Sequence, residues 1–276
     1  MGSSGKSRYW RMAALGLAVA GMAALGLARA ASGVAPAPEA LPDLVSDAPS
    51  SPRFEVYSDA STGTNRLLLR FNGYVHNQGT GPLEIIGRTP VSGTMTTTGQ
   101  RIFDTAGTFV REDSTRNPSL IYETADGHNH WHLRAAMRYG LFNEAKSAEV
   151  APAQKVGFCL IDSEHVDASG PSAAVYLVGT FCAKNNPTAA TLTMGISSGW
   201  RDKYGSTLAF QWVDVSDTVP GTYWLGATSD PDNAVLEANE GNNDTTYAGT
   251  PSVIPGFVAQ PVSATNIVPG ATAQVT

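Results

Sequence analysis

Three of the chain's five histidines fall at every second position in "DGHNHWHLRAAMRYGL", as His128, His130 and His132. On an α-helix such positions are separated by steps of about 200°, which would turn His130 away from the other two. On a β-strand alternate residues share a face, so all three imidazoles project the same way. Three neutral imidazoles on one face offer three nitrogen ligands for copper or zinc at about 2.0–2.1 Å, and the spacing does not choose between the metals. On a straight strand His128 and His132 would lie roughly 13–14 Å apart. Convergence on one metal therefore requires a bend or bulge, for which Gly127 is suitably placed. His76 and His165 are isolated and read as ordinary polar residues.

The elements that must carry this triplet read as strands. Short apolar or alternating runs such as "RLLLRFNGYVHNQG", "GPLEIIG", "RYGLF", "KVGFCLID", "LAFQWVDV", "GTYWLGAT" and "NAVLEAN" are separated by Gly, Pro, Asn and Asp. No window of helical length keeps a 3.6-residue period outside the N-terminal segment. The expected class is all-β, an antiparallel β-sandwich with long loops around the site.

The N-terminus has its own pattern. Lys6, Arg8 and Arg11 precede the uncharged run "MAALGLAVAGMAALGLA", and "ARA" follows at Ala28-Arg29-Ala30. A basic region, an apolar region and a small-x-small site describe a secretory signal peptide over residues 1–30. The alternative is an uncleaved anchor facing outside, although Met12 to Ala28 is at the lower limit of membrane-spanning length. Residues 31–42, rich in Ala and Pro, read as a linker, and residues 255–276 as a loosely held tail. About 245 residues remain beyond the signal, enough to bury roughly 70% of the surface of the unfolded chain.

A net charge of −6 and the lack of any basic patch argue against nucleic acid as a partner. After signal cleavage no segment would insert stably in a membrane. The two cysteines, Cys159 and Cys182, default to one disulfide in an exported chain. It would close a loop of about 22 residues and restrain the unfolded state by roughly 3 kcal/mol. The acidic stretch "DPDNAVLEANEGNND" fails as an EF-hand loop. Counting from Asp230, its sixth position is Val235 rather than Gly, and its twelfth is Gly241 rather than Glu.

The segment "GHNHWHLRAAMRYGLF" resembles the copper-binding segment of the lysyl oxidase family, and further segments resemble that family in the same order. These are "LPDLVSD", "LLLRFNGYVHNQGTGPLEI", "KVGFCLID", "GWRDKYGSTLAFQWVDVSDTVPGTYWL" and "VLEANEGNN", together covering roughly residues 42 to 246. The resemblance implies a catalytic domain over 43–254 that carries copper on His128, His130 and His132. It also implies a second cofactor, lysine tyrosylquinone, built from Lys155 in "AQKVGFC" and Tyr204 in "RDKYGS". The implied activity is oxidation of primary amines, peptidyl-lysine or small amines, by O₂, releasing aldehyde, ammonia and hydrogen peroxide. Asp202, two residues before Tyr204, is the candidate base that removes the α-proton. Its other reading is a turn-capping Asp beside Gly205. Asp162 and Asp214 lie at strand ends and read as structural. Cys159 lies in the family's Phe-Cys-Leu strand, which fits its pairing with Cys182.

This chain departs from animal members, which carry several disulfides, and its lean cysteine content suits a bacterial member. Lysine side chains of extracellular proteins are one substrate class, but collagen and elastin do not follow from these residues. A competing reading from another class is a non-catalytic extracellular metal-binding β-sandwich, since the "GTYWLGATSDPDNAVLEANEGNN" hairpin also resembles bacterial adhesion modules. Lys155 and Tyr204 discriminate in favour of the enzyme.

Overall fold

A computed structural model describes residues 37–261 and 272–273, apart from residues 115, 117, 126–128, 169 and 178–180. The signal segment and the first half of the expected linker lie outside the described residues, as does His128. Among the described residues there is no α-helix, and every ladder between strands is antiparallel. The chain is all-β, arranged in three sheets of eight, seven and five strands.

The long strand Thr64–Asn77 is the hub of the seven-stranded sheet. It pairs over Thr64–Asn72 with Ser50–Asp59, and its C-terminal part pairs with Leu44–Val45 and with Trp200–Tyr204. Its N-terminal part pairs with Trp212–Asp214. The loop 205–211 is thereby anchored at both ends on one strand. Leu67, Leu69, Phe71 and Val75 of the hub are buried in the core, each worth about 1.5–3 kcal/mol on burial. Along Trp200–Tyr204 the alternation is strict: Trp200, Asp202 and Tyr204 face inward, while Arg201 and Lys203 face out.

The histidine strand, His130–Arg134, lies in the eight-stranded sheet between Leu120–Glu123 and Gly157–Phe158. Both of its faces are covered, with Trp131 fully buried and His132 nearly so. Beside it Met137–Phe142 forms the centre of the five-stranded sheet with Glu149–Pro152 and Gly221–Ser229.

Two expected strands differ from the structure. "NAVLEAN" is irregular, and the partners of Gly221–Ser229 are Met137–Phe142, Thr246–Tyr247 and Ser252–Ile254. The reason is local satisfaction of its backbone. The Asp230 carboxylate accepts the Ala234 and Val235 amides, Gln100 accepts from the Leu236 amide and donates to its carbonyl, and Ala238 donates to Pro42. "KVGFCLID" contributes only Gly157–Phe158 as strand. Within the stretch read as a linker, Glu39–Ala40 pair with Asp104 and Phe103. At the start of the expected tail Gln260 accepts the Asn65 amide.

Candidate active site

Asn129 bends the chain just before the histidine strand. Its φ of 46° is left-handed, a region Asn tolerates better than most residues, and the strand starts at the next residue. From there His130 and His132 share a face, and their Nε2 atoms lie 2.9 Å apart with the rings perpendicular. Two nitrogens about 2.0–2.1 Å from one metal, subtending roughly a right angle, are separated by about this distance. The pair therefore fits a shared metal. Gly157 allows the close approach of the neighbouring strand, since a Cβ there would lie 3.0 Å from His132.

Lys155 sits just before Gly157–Phe158 and is only 4% exposed. Its Nζ lies 4.9 Å from the centre of the Tyr204 ring and 5.6 Å from that of Phe158. Burial lowers its pKa to about 8, against the opposing pull of Asp202 and Glu123. Tyr204 is buried edge-on against Phe158 and donates its hydroxyl to the Cys159 carbonyl at 2.9 Å. Burial, with the nearby Asp202 charge, pushes the phenol well above its ordinary pKa.

Asp202 is 2% exposed, and burial raises its carboxyl to about 7. Ser163 donates to its Oδ1 at 2.7 Å, and Oδ2 has no hydrogen-bond partner. The Ser163 and Tyr204 hydroxyls, the Ile161 amide and the Lys155 charge oppose the rise without cancelling it.

Cys159 and Cys182 are joined in a disulfide with Cα atoms 5.8 Å apart. The Cys182 carbonyl accepts the Trp131 amide, and the Asn129 carbonyl accepts the Asn185 amide. The bridge thus couples the Lys155–Tyr204 side to the start of the histidine strand.

His130, Lys155, Asp202, Tyr204, Cys159 and Cys182 border one cavity of about 240 Å³. Ile161, Phe181 and Leu208 give it apolar walls. His132 borders an adjoining cavity of about 260 Å³ with Glu123, Phe210 and, again, Lys155. The expected site residues that can be described are therefore brought together around Lys155, and His128 lies outside the described residues.

Sequence reasoning missed Ser163, Glu123 and Phe210. Glu123 faces His130 across the strand pair, a relation set by a turn rather than by spacing. Phe210, at φ 64°, is aimed by the anchored loop, whose Ser206 and Leu208 carbonyls are held by Arg70. Ser163 had one weak signal, its place right after the Phe-Cys-Leu-x-Asp run.

The lysyl oxidase family model matches residues 107–250, more than half of the chain. The chain belongs to the lysyl oxidase family. Protein-lysine 6-oxidase of Gallus gallus is 25% identical over 209 residues, covering 74% of this chain and 39% of that protein. Lysyl oxidase homolog 1 of Homo sapiens is 29% identical over 127 residues, covering 46% and 20%. Human protein-lysine 6-oxidase is 28% identical over 152 residues, covering 52% and 32%. The chain spans from about a fifth to two fifths of the length of these relatives. The matched region of this lysyl oxidase family member contains the histidine triplet, Lys155, Asp202 and Tyr204.

Asp230, Glu237 and Glu240 form an acidic cluster in the stretch excluded as an EF-hand. Protein donors already engage it: backbone amides on Asp230, the Leu44 amide and Asn243 on Glu237, and Arg116 on Glu240. Among the described residues no helix is long and apolar enough to cross a membrane.

Proposed function

We propose that this chain is an exported copper- and quinone-dependent amine oxidase acting on primary amines. Per turnover, one amine, one O₂ and one water would become one aldehyde, one ammonia and one hydrogen peroxide. The observation that carries the reading is the buried approach of Lys155 Nζ to the Tyr204 ring, 4.9 Å from its centre, beside Asp202 and two convergent histidines. Copper held by His128, His130 and His132 would supply the O₂ chemistry that converts Tyr204, joined to Lys155, into the two-electron acceptor lysine tyrosylquinone.

The chain's own residues have separable tasks. Lys155, with its pKa lowered to about 8, is neutral often enough near neutral pH to act as a nucleophile. The lone pair of the Asp202 carboxylate, poised near pH 7, takes the α-proton of the bound amine. Apolar walls at Ile161, Phe181 and Leu208 suit an unbranched alkyl stem, such as a lysine side chain or a small alkylamine, and exclude water. The disulfide keeps Cys159, which accepts the Tyr204 hydroxyl, fixed relative to the histidine strand.

Copper-loaded protein treated with phenylhydrazine and mapped by peptide mass spectrometry tests the assignment. The expected product is a labelled peptide pair joined through Tyr204 and Lys155. Tyr204→Phe and Lys155→Ala should remain folded and bind metal, without quinone absorbance or amine-dependent peroxide. Full activity in either variant would refute the cofactor assignment. An unlabelled, uncrosslinked wild type that still binds metal would favour a non-catalytic metal-binding module.

A further inference from the structure

Ser163 stands between two fixed neighbours. Before it, Asp162 receives four hydrogen bonds, from the amides of Val175, Tyr176 and Ser197 and from the Ser197 hydroxyl. After it, Glu164 pairs in register with Arg201 and bonds its side chain. The Ser163 amide itself donates to the Arg201 carbonyl at 3.1 Å. Its backbone is therefore held on both sides against the strand that carries Asp202, and its hydroxyl reaches Asp202 Oδ1 at 2.7 Å.

The bond is one-sided. A carboxylate buried only for stability collects donors on both oxygens, as Asp162 does, because each unmet lone pair in a dry interior is costly. Asp202 has a bonded oxygen and a bare one, and it borders the cavity shared by Lys155 and Tyr204. We propose that Ser163 is the positioning residue of this site, holding Asp202 by Oδ1 so that Oδ2 is left as the proton-accepting atom. The proposal rests on Asp202 being the base in the amine-oxidase reading.

A hydrogen bond donated to the charged form of a carboxyl favours that form, so losing it raises the pKa. The charged and titratable groups that face Asp202 are Lys155, Tyr204 and buried Tyr139, with His130, Lys184 and Lys203 bordering the same cavity. All of them remain in a Ser163 variant.

The test compares wild type, Ser163→Ala and Ser163→Thr as copper-loaded full chains. In Ser163→Ala the acid limb of the kcat profile should move up by about one pH unit, a tenfold change in the proton equilibrium. At pH 7 kcat should fall about fivefold, since the ionised fraction drops from about a half to about a tenth, while KM changes little, and Ser163→Thr, which keeps the hydroxyl, should restore both. Carbon-13 titration of the aspartate carboxyls provides a second reading independent of turnover, with Asp202 assigned by its absence in Asp202→Asn. Its midpoint should rise in Ser163→Ala and return in Ser163→Thr. A folded Ser163→Ala with wild-type acid limb and wild-type carboxyl midpoint would overturn the proposal, as would failure of Thr to restore them. Should Ser163→Ala fail to fold, Ser163→Thr carries the decision: wild-type limb and midpoint support the proposal, and displaced ones overturn it. If the wild type oxidises no amine, the amine-oxidase reading fails, and the carboxyl titration still decides whether Ser163 controls Asp202.

Discussion

Asp162 and Asp202 are both aspartates buried to within a few per cent, and their surroundings are opposite. Asp162 accepts four hydrogen bonds from three residues and knots the segment before Ser163 to residues 175–176 and to Ser197. Asp202 accepts one strong side-chain bond on Oδ1, leaves Oδ2 bare and sits beside a buried lysine and a buried tyrosine. The first carboxylate holds the chain in place. The second is held in place by the chain at an energetic cost, which the proposed role as proton acceptor would explain.

The contrast breaks most sharply at Asp162. Asp162→Ala strands the buried amides of Tyr176 and Ser197, the Ser197 hydroxyl and the part-buried Val175 amide at once, and should cost about 3–5 kcal/mol of stability. Urea unfolding measures this, and a loss below about 1 kcal/mol would remove the distinction drawn between the two residues.

Asp202→Asn should do the reverse. Turnover should fall by about a hundred- to a thousand-fold, read as amine-dependent peroxide release, with the fold intact. The stability effect has a definite sign. The folded carboxyl, near 7, lies above the ordinary aspartate value of 3.8, so folding binds the proton more tightly. Its stabilising contribution is complete below about pH 4 and is lost as pH rises through 7. The Asn variant should therefore match wild type at pH 3 and exceed it at pH 8, where the native chain carries a buried charge. A variant less stable than wild type at pH 8 would contradict the assigned burial penalty.

How much of this could be read from sequence depends on the range of the interaction. The period of two in His128-x-His130-x-His132 is a local property, so a strand carrying His130 and His132 on one face was legible from spacing alone. The strands Thr64–Asn77, Leu83–Val91 and Gly221–Ser229 were legible for the same reason, because one or both of their faces are buried. Thr94–Asp104 was not singled out, since "TMTTTGQRIFD" starts with exposed threonines and alternates weakly. "NAVLEAN" misled because Val235 and Glu237 are buried at alternate positions, as in a strand, while side chains from elsewhere take its backbone bonds. Ser163 and Phe210 reach the site through pairings between distant segments, which no spacing along the chain encodes, and Glu123 reaches it by strand register opposite His130. Asp162 and Asp202 illustrate the limit well, since by residue type alone they are the same.

A third aspartate, Asp214, extends the comparison to the surface. It ends the strand Trp212–Asp214, accepts the Ser216 amide and hydroxyl on Oδ1 and pairs with Arg66 at 2.6 Å on Oδ2. Its bonding is almost as complete as that of Asp162, yet its side chain is a third exposed. If bonding alone made Asp162 important, Asp214→Asn should be nearly as costly. If depth decides, water replaces most of what is lost, and the change should cost only about 0.5–1 kcal/mol. The smaller value is expected, shrinking further as ionic strength rises, because an ion pair open to solvent is screened while a buried one is not. Amine turnover should be unchanged, since Asp214 borders neither cavity that Lys155 shares with the histidines. A loss of several kcal/mol, insensitive to salt, would mean that the number of bonds rather than the absence of water ranks these three carboxylates.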